Sequence, residues 1–406
     1  MRQVCAGILS VFLAGISAPS ASGYAFGYAV GDMRLGADLS GGTACPQMTR
    51  LNLFVAGGMR RQWSTELGTN PSTIITQDKT ASGMLNEIEA TITQSVGIWT
   101  GVSGTTLTPS VMGPLTRTSS QNACSASDGE NSICFDQNDP AFTTGVLAFT
   151  RVTTADSIGE QPALNHPPAA FVGEILDADV LLRPGDPTAV FATPGALAGN
   201  PQAYDLESVL THEIGHSLGF EHSDVWRAMM FPFVQPAGQF LGSRPTTQAP
   251  DASLSDDDRT GLRVLYPDPA DTTHIGVIRG RILPANTISL AGQAGVTGIF
   301  ASQVVAVDAA SGVVIAATRG GWTCSDPGPP LFDGSYSVER LPVGAGRAYE
   351  IYVEPFTGPE DASDVSATLA RICRNAASDP GWPGTFACTV PTVNVNFGVR
   401  IRPPDE

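Results

Sequence analysis

Hydrophobic side chains recur at helical spacing in two segments of this chain. Between residues 83 and 99 apolar positions lie three or four residues apart, which is the spacing of one buried helix face. These positions are Leu85, Ile88, Ile92, Val96 and Trp99. A second stripe begins directly after Asp205, a residue type that commonly caps a helix N-terminus. It comprises Leu206, Val209, Leu210 and Ile214. We therefore predict helices over residues 83–99 and from residue 206 onward.

Short apolar or alternating runs predict the strands around these helices. In the first part of the chain they lie at residues 50–55, 145–152 and 171–182. Residues 267–271 contain two prolines, which indicates a stiff linker. Beyond it apolar positions alternate with polar ones at 275–283, 349–353 and 393–401, as in strands with one buried face. Two apolar runs, at 304–307 and 313–316, flank residues 309–312 and predict a hairpin. The pattern predicts an α+β domain followed by an all-β domain.

Composition and charge narrow the classes of partner. The chain has 406 residues, with 39 acidic against 22 basic side chains and a net charge of −17. Such a surface repels phosphate, so nucleic acid is not expected as a partner. Residues 1–25 have a short basic start, an apolar run and small residues, which indicates a signal peptide. No later stretch has the length of a membrane span, so we expect a secreted, extracellular protein without an integral membrane segment.

The cysteines predict disulfide bonds in an exported chain. Six cysteines remain after residue 25, an even count that permits 15 connectivities. The simplest loops are Cys124–Cys134 and Cys373–Cys388. Cys45 and Cys324 then either form a bridge between the domains or stay free.

Residues 212–222 contain the highest density of potential metal-ligating and catalytic side chains. On a helix, His212 and His216 are one turn apart and leave the same face, so both reach one Zn²⁺ ion. Gly219, a residue type that tolerates positive φ, permits a sharp turn that returns His222 as a third ligand. Three protein ligands leave one position open, which is typical of a catalytic zinc. Glu213 stands beside the pair, where its carboxylate can act as general base. The alternative is a satisfied histidine pair on an exposed helix.

These residues resemble the long zinc motif of the metzincin proteases, and Ser223 is similar to the matrixin branch. Residues 228–232 resemble the matrixin Met-turn, with Met230 as the hydrophobic floor of the zinc site. Residues 254–266 resemble the helix that closes a matrixin domain. The resemblance implies an α+β metzincin catalytic domain, with a twisted mixed sheet, helices and zinc in the cleft. It also implies an edge strand that binds an extended substrate.

The C-terminal part resembles a carboxypeptidase-regulatory, transthyretin-like β-sandwich over residues 280–353. We expect this all-β sandwich domain either to bind a substrate or surface or to stabilise the protein passively. We also expect a fragment ending near Pro269 to fold by itself. The expected organisation is a signal peptide (1–25), an N-terminal extension (26–45), the catalytic domain (46–267), a linker (268–274) and the sandwich (275–401).

The resemblance implies a secreted zinc endopeptidase that acts on proteins or peptides as a monomer. One catalytic Zn²⁺ is expected, because only His166 and His274 remain for a second histidine-rich zinc site. Two interpretations of Asp128, Asp136 and Asp139 stay open: they form a Ca²⁺ site, or their carboxylates are simply solvated. The alternative function is a zinc-bearing extracellular adhesion or binding protein without turnover.

Overall fold

The computed structural model describes most of the chain between residues 85 and 354, together with two short earlier strands. Within that span the longest segments left out are 115–130, 184–190 and 284–297. Several predictions lie outside the described residues. They are the leader up to residue 24, the strands at 50–55 and 393–401, the three aspartates of the calcium alternative, His166, Cys45, Cys124, Cys373 and Cys388. These predictions stay as they are.

A mixed sheet forms the centre of the N-terminal half. Its strands are β2 (Ile74–Gln77), β3 (Val111–Pro114), β4 (Ser132–Phe135), β5 (Ala148–Thr154) and β6 (Ile175–Leu182), preceded by β1 (Ala25–Phe26). In the described part of the chain the order is β3-β2-β4-β6-β5. The first four strands pair in parallel, whereas β5 runs antiparallel to β6 at the edge. The predicted mixed sheet is therefore confirmed. Strand β5 begins three residues after the predicted start, and residues 171–174 of the other predicted strand lie outside the described residues.

Two long helices pack against each other beside this sheet. The helices of the described residues are α1 (Leu85–Thr100), α2 (Pro194–Leu197), α3 (Leu206–Ser217) and α4 (Asp256–Leu265). Trp99 of α1 is fully buried, and its ring Nε1–H donates a 2.8 Å hydrogen bond to the carbonyl of Thr211 in α3. The apolar stripe of α1 therefore positions α3, which carries the histidine pair.

Short strands join the helices to the rest of the fold. They are β7 (Phe191–Ala192), β8 (Tyr204–Asp205) and β9 (Phe220–Glu221). Strand β8 pairs with β7 and leads directly into α3, while β9 follows α3 and pairs antiparallel with β1. Ala25, the last residue of the predicted signal peptide, thus lies in β1 opposite Glu221.

Antiparallel strands make up the C-terminal part. They are β10 (Gly276–Arg281), β11 (Gln303–Asp308), β12 (Val314–Arg319), β13 (Thr323–Cys324), β14 (Pro330–Leu331), β15 (Ser335–Leu341) and β16 (Tyr349–Glu354). Among the described residues, β12, β11 and β16 form one sheet, and β10 pairs with β15. The predicted hairpin is confirmed as β11 and β12, with Gly312 at a φ of 74° in its turn. That these strands form a complete sandwich domain stays a prediction.

One hydrophobic core continues from the first part of the chain into the second. Leu262 and Val264 of α4 belong to the same cluster of buried side chains as Ile315 of β12 and Val338 of β15. No helix among the described residues is both long and apolar enough to cross a lipid bilayer.

Candidate metal centre

Helix α3 begins at the predicted cap. The carboxylate of Asp205 accepts a 2.8 Å hydrogen bond from the backbone N–H of Ser208, and Arg244 forms an ion pair with it. Because every residue of α3 is buried, this cap satisfies an N–H group that would otherwise lack a partner. The helix is thereby held with its two histidines inside the protein.

Gly219 turns the chain after α3 and returns the third histidine to the first two. Its φ of 106° lies in the left-handed region that favours glycine, as the sequence predicts. His212, His216 and His222 then offer ligand atoms that all lie within 4.8 Å of one another. Their side chains are only 2%, 5% and 6% exposed. Among the described residues, this is the one group of three or more His, Cys, Asp or Glu side chains placed to hold a metal ion.

Backbone carbonyls set the ring orientation of the helical histidines. The Nδ1 atom of His212 lies 2.8 Å from the carbonyl oxygen of Met229, and that of His216 lies 2.9 Å from the carbonyl of Phe220. Since a carbonyl only accepts, each ring carries its proton at Nδ1 and leaves Nε2 for a metal. Burial, and then the neighbouring His216, lower the pKa of His212 well below 6.5. The His212 imidazole is thus held in the neutral form that binds metal.

Glu213 is buried beside the histidines and is held by strand β5. The hydroxyl of Thr150 lies 2.7 Å from its Oε2 atom and 2.9 Å from its backbone carbonyl. Burial raises the pKa of Glu213 to about 8, and the hydrogen bond from Thr150 acts in the opposite direction. The other oxygen, Oε1, is buried and has no hydrogen-bond partner among the described residues. A buried carboxylate in this state is suited to accept a proton near neutral pH.

The donor set fits a catalytic zinc ion. Three neutral imidazoles are a known ligand set for catalytic Zn²⁺, and they leave a fourth position open. A nearby cation would also offset the cost of burying the ionised form of Glu213.

Met229 and Met230, in the predicted Met-turn, lie against α3. Met230 is 0% exposed and contacts the helix at Gly215, where a Cβ atom would overlap Met230 Sδ and lie 2.8 Å from Trp99 Cζ2. Asp258 of α4 accepts hydrogen bonds from the backbone N–H groups of Met229, at 2.7 Å, and Met230, at 3.2 Å. Because the Met229 carbonyl in turn bonds His212, α4 fixes the orientation of that histidine.

Comparison with known proteins relates this region to a protease family. Residues 121–267 match the family model of the matrixins. That segment is similar to a matrixin-type metzincin domain. The matrixin family implies a catalytic zinc ion.

Similar curated proteins include metalloendoproteinases of plants and an amphibian stromelysin. Metalloendoproteinase 1 of Glycine max is 42% identical over 64 residues, which are 16% of this chain and 17% of that protein. Metalloendoproteinase 1-MMP of Arabidopsis thaliana is 38% identical over 97 residues, 21% of this chain and 24% of that protein. Stromelysin-3 of Xenopus laevis is 36% identical over 84 residues, 20% of this chain and 15% of that protein. The chain therefore spans less than a quarter of each of these relatives, so the activity of the whole protein is a proposal.

The structure brings together the matrixin site residues that the sequence predicts and adds others. His212, His216, His222, Glu213 and Met230 all belong to one buried site. Sequence reasoning missed Thr150, Asp257 and Asp258. The strand pattern around Thr150 predicts on which face of the sheet its side chain lies, but it does not predict the contact with Glu213. The signal available for the last two was the run of three acidic residues, 256–258, in the first turn of α4.

The predicted disulfides are not tested by these residues. Cys134 lies in β4 and Cys324 in β13, while the partners named for them lie outside the described residues. The pairs Cys124–Cys134 and Cys373–Cys388 stay predictions.

Proposed function

We propose that the protein is a secreted zinc endopeptidase in which His212, His216 and His222 bind the metal and Glu213 is the general base. The observation that carries the proposal is the buried triad of imidazoles with a buried carboxylate next to it. When bound, Zn²⁺ supplies Lewis-acid chemistry and makes a water molecule acidic enough to ionise near neutral pH. The matrixin match over residues 121–267 supports the same assignment.

Glu213 has the role of moving the proton in this proposal. Its Oε2 atom is held by Thr150, so Oε1 is the oxygen left to accept a proton from the attacking water. Burial of Glu213 favours its protonated form, so the carboxyl can keep that proton until it is passed to the leaving amine.

Strand β5 is the proposed binding edge for the substrate. It is the last strand of the described sheet, so its outer edge offers backbone N–H and C=O groups to an extended peptide. Thr150 of this strand contacts Glu213, which puts the edge next to the general base. Binding by backbone pairing suits a protein or peptide substrate of varied sequence.

Hydrolysis of casein or gelatin by the purified full-length protein tests the proposal. We expect cleavage that a zinc chelator abolishes and that added Zn²⁺ restores. A protein that retains one zinc ion and cleaves none of a broad panel of substrates would contradict it. That result would favour the alternative of a zinc-bearing binding protein.

A further inference from the structure

Strand β11 is buried on both faces, because the segment between His222 and the Met-turn covers one of them. All six residues of β11 are buried. Alternate residues of a strand point to opposite faces, and one face of β11 joins the main core. On the other face, Val305 and Val307 pack against Val225 and Ala228. The C-terminal sheet is therefore in direct contact with the loop that follows the third histidine.

Asp257 connects the same two parts by hydrogen bonds. Its side chain is 0% exposed. Its Oδ1 atom accepts a 3.0 Å bond from the backbone N–H of Ala317 in β12, and its Oδ2 atom accepts a 2.8 Å bond from the hydroxyl of Ser223. Because β12 is an edge strand of its described sheet, alternate N–H groups point away from the sheet. Asp257, in the part of the chain that is similar to the matrixins, accepts the hydrogen bond of one of these groups, the N–H of Ala317.

Ser223 links Asp257 to the third histidine. It follows His222 in sequence, and its hydroxyl oxygen accepts a 3.1 Å hydrogen bond from the backbone N–H of Val225. The hydroxyl proton is then directed to Asp257. The backbone N–H of Ser223 donates a 2.7 Å bond to the carbonyl of Met230. The backbone beside His222 is thus fixed by Asp257 on one side and by the Met-turn on the other.

We propose that Asp257 is a positioning residue for His222, and that the sheet of β11 and β12 is part of the support of the metal centre. This proposal rests on the proposed function, because it takes His222 to be a zinc ligand. Groups that hold a ligand without touching the metal typically change metal affinity or activity about 10–100-fold when they are replaced. The C-terminal strands are then a component of the active protease unit and not a passive attachment.

Two pairs of substitutions in the full-length chain test the proposal. Asp257→Asn removes one acceptor, and Asp256→Asn is its matched control, because the adjacent Asp256 side chain is 44% exposed and pairs with Arg259. Val305→Ala removes apolar contact with the loop from the C-terminal side. Val313→Ala is its control, since Val313 lies in the same hairpin and is 46% exposed.

The principal readout is the zinc dissociation constant, measured by competition with a chromophoric chelator at a temperature where each variant is folded. We expect Asp257→Asn to weaken zinc binding roughly 10–100-fold, with a smaller effect in the same direction for Val305→Ala. Both controls should stay within about twofold, because they alter groups with no contact to the loop. The absorption spectrum of the Co²⁺-substituted protein should change for Asp257→Asn and not for Asp256→Asn, because it reports ligand geometry.

Ser223→Ala keeps the test decisive if Asp257→Asn does not fold. It should weaken zinc binding to a similar extent, and the double variant should be no weaker than the worse single variant, since both remove one hydrogen bond. A lower unfolding midpoint for Asp257→Asn and Ser223→Ala with unchanged zinc affinity and Co²⁺ spectrum would overturn the proposal. Zinc binding is measured without substrate, so a protein that binds zinc but cleaves nothing would refute only the proposed function.

Discussion

Replacing Gly215 by alanine tests the packing of the Met-turn against helix α3. Gly215 lies in the helix interior, between the two helical histidines. An added Cβ atom would overlap Met230 Sδ and lie 2.8 Å from Trp99 Cζ2, closer than real Cβ contacts. Both neighbours are 0% exposed, and the Trp99 ring is held by its hydrogen bond to Thr211. The added methyl group therefore requires one of these two buried side chains to shift.

Gly97→Ala is the matched control for this substitution. Gly97 lies within α1, and an added Cβ atom there has no neighbour within 4 Å. Alanine at an open helix position should stabilise the fold by about 0.5–1 kcal/mol, through helix propensity alone. At Gly215 the same gain is opposed by an overpacking cost of about 1–3 kcal/mol. Because the gain in helix propensity is common to both variants, the difference between their free energies of unfolding measures the steric cost directly.

The assay is denaturant unfolding of the full-length protein after a chelator has removed the metal, so that metal affinity does not contribute to the measured stability. We expect Gly215→Ala to be less stable than Gly97→Ala by about 1–3 kcal/mol. The zinc affinity of Gly215→Ala should also fall, because displacement of Met230 moves the Met229 carbonyl that orients His212. Equal stability of the two variants within about 0.5 kcal/mol would refute the packing argument.

Two further substitutions probe Glu213 and its partner. Burial raises the pKa of Glu213 from 4.5 to about 8. Between these pH values the folded metal-free protein binds a proton that the unfolded chain has released. The stability of the metal-free protein should therefore fall as pH rises from 4.5 to 8. The lowered pKa of His212 has the opposite effect, but only up to about pH 6.5. Glu213→Gln should therefore flatten the decline between pH 6.5 and 8 in denaturant unfolding, and an unchanged slope would contradict the assignment. Thr150→Val removes the hydroxyl at constant shape and should lower kcat roughly tenfold with zinc content unchanged, whereas Thr150→Ser should retain the rate; equal rates in both variants would refute the positioning role of that hydroxyl.

Much of the site follows from local sequence, because its determinants are close together along the chain. The spacing of His212 and His216, the cap at Asp205 and the positive φ of Gly219 are each set within a few residues, and the structure confirms the helix, the cap and the turn. The contacts that support the site are not local. Thr150 lies 63 residues from Glu213 along the chain, and Ala317 lies 60 residues from Asp257.

Such long-range contacts depend on how elements pack, which periodicity does not encode. The continuous apolar run at 304–307 predicts a buried strand, but it does not say that the loop after His222 covers one face of β11. The division into two domains stays a prediction, and the local pattern that predicts it does not reveal that buried side chains of both parts belong to one cluster around α4.

The most direct test of the central claim is zinc content and peptide hydrolysis of Glu213→Ala beside the wild-type protein. Both proteins should hold about one zinc ion per chain, because the three imidazoles are unchanged. The variant should hydrolyse peptides about 10²–10⁴-fold more slowly, since the group that accepts the proton is gone. A variant that keeps its zinc and a near-normal rate would show that Glu213 is not the general base and would contradict the account.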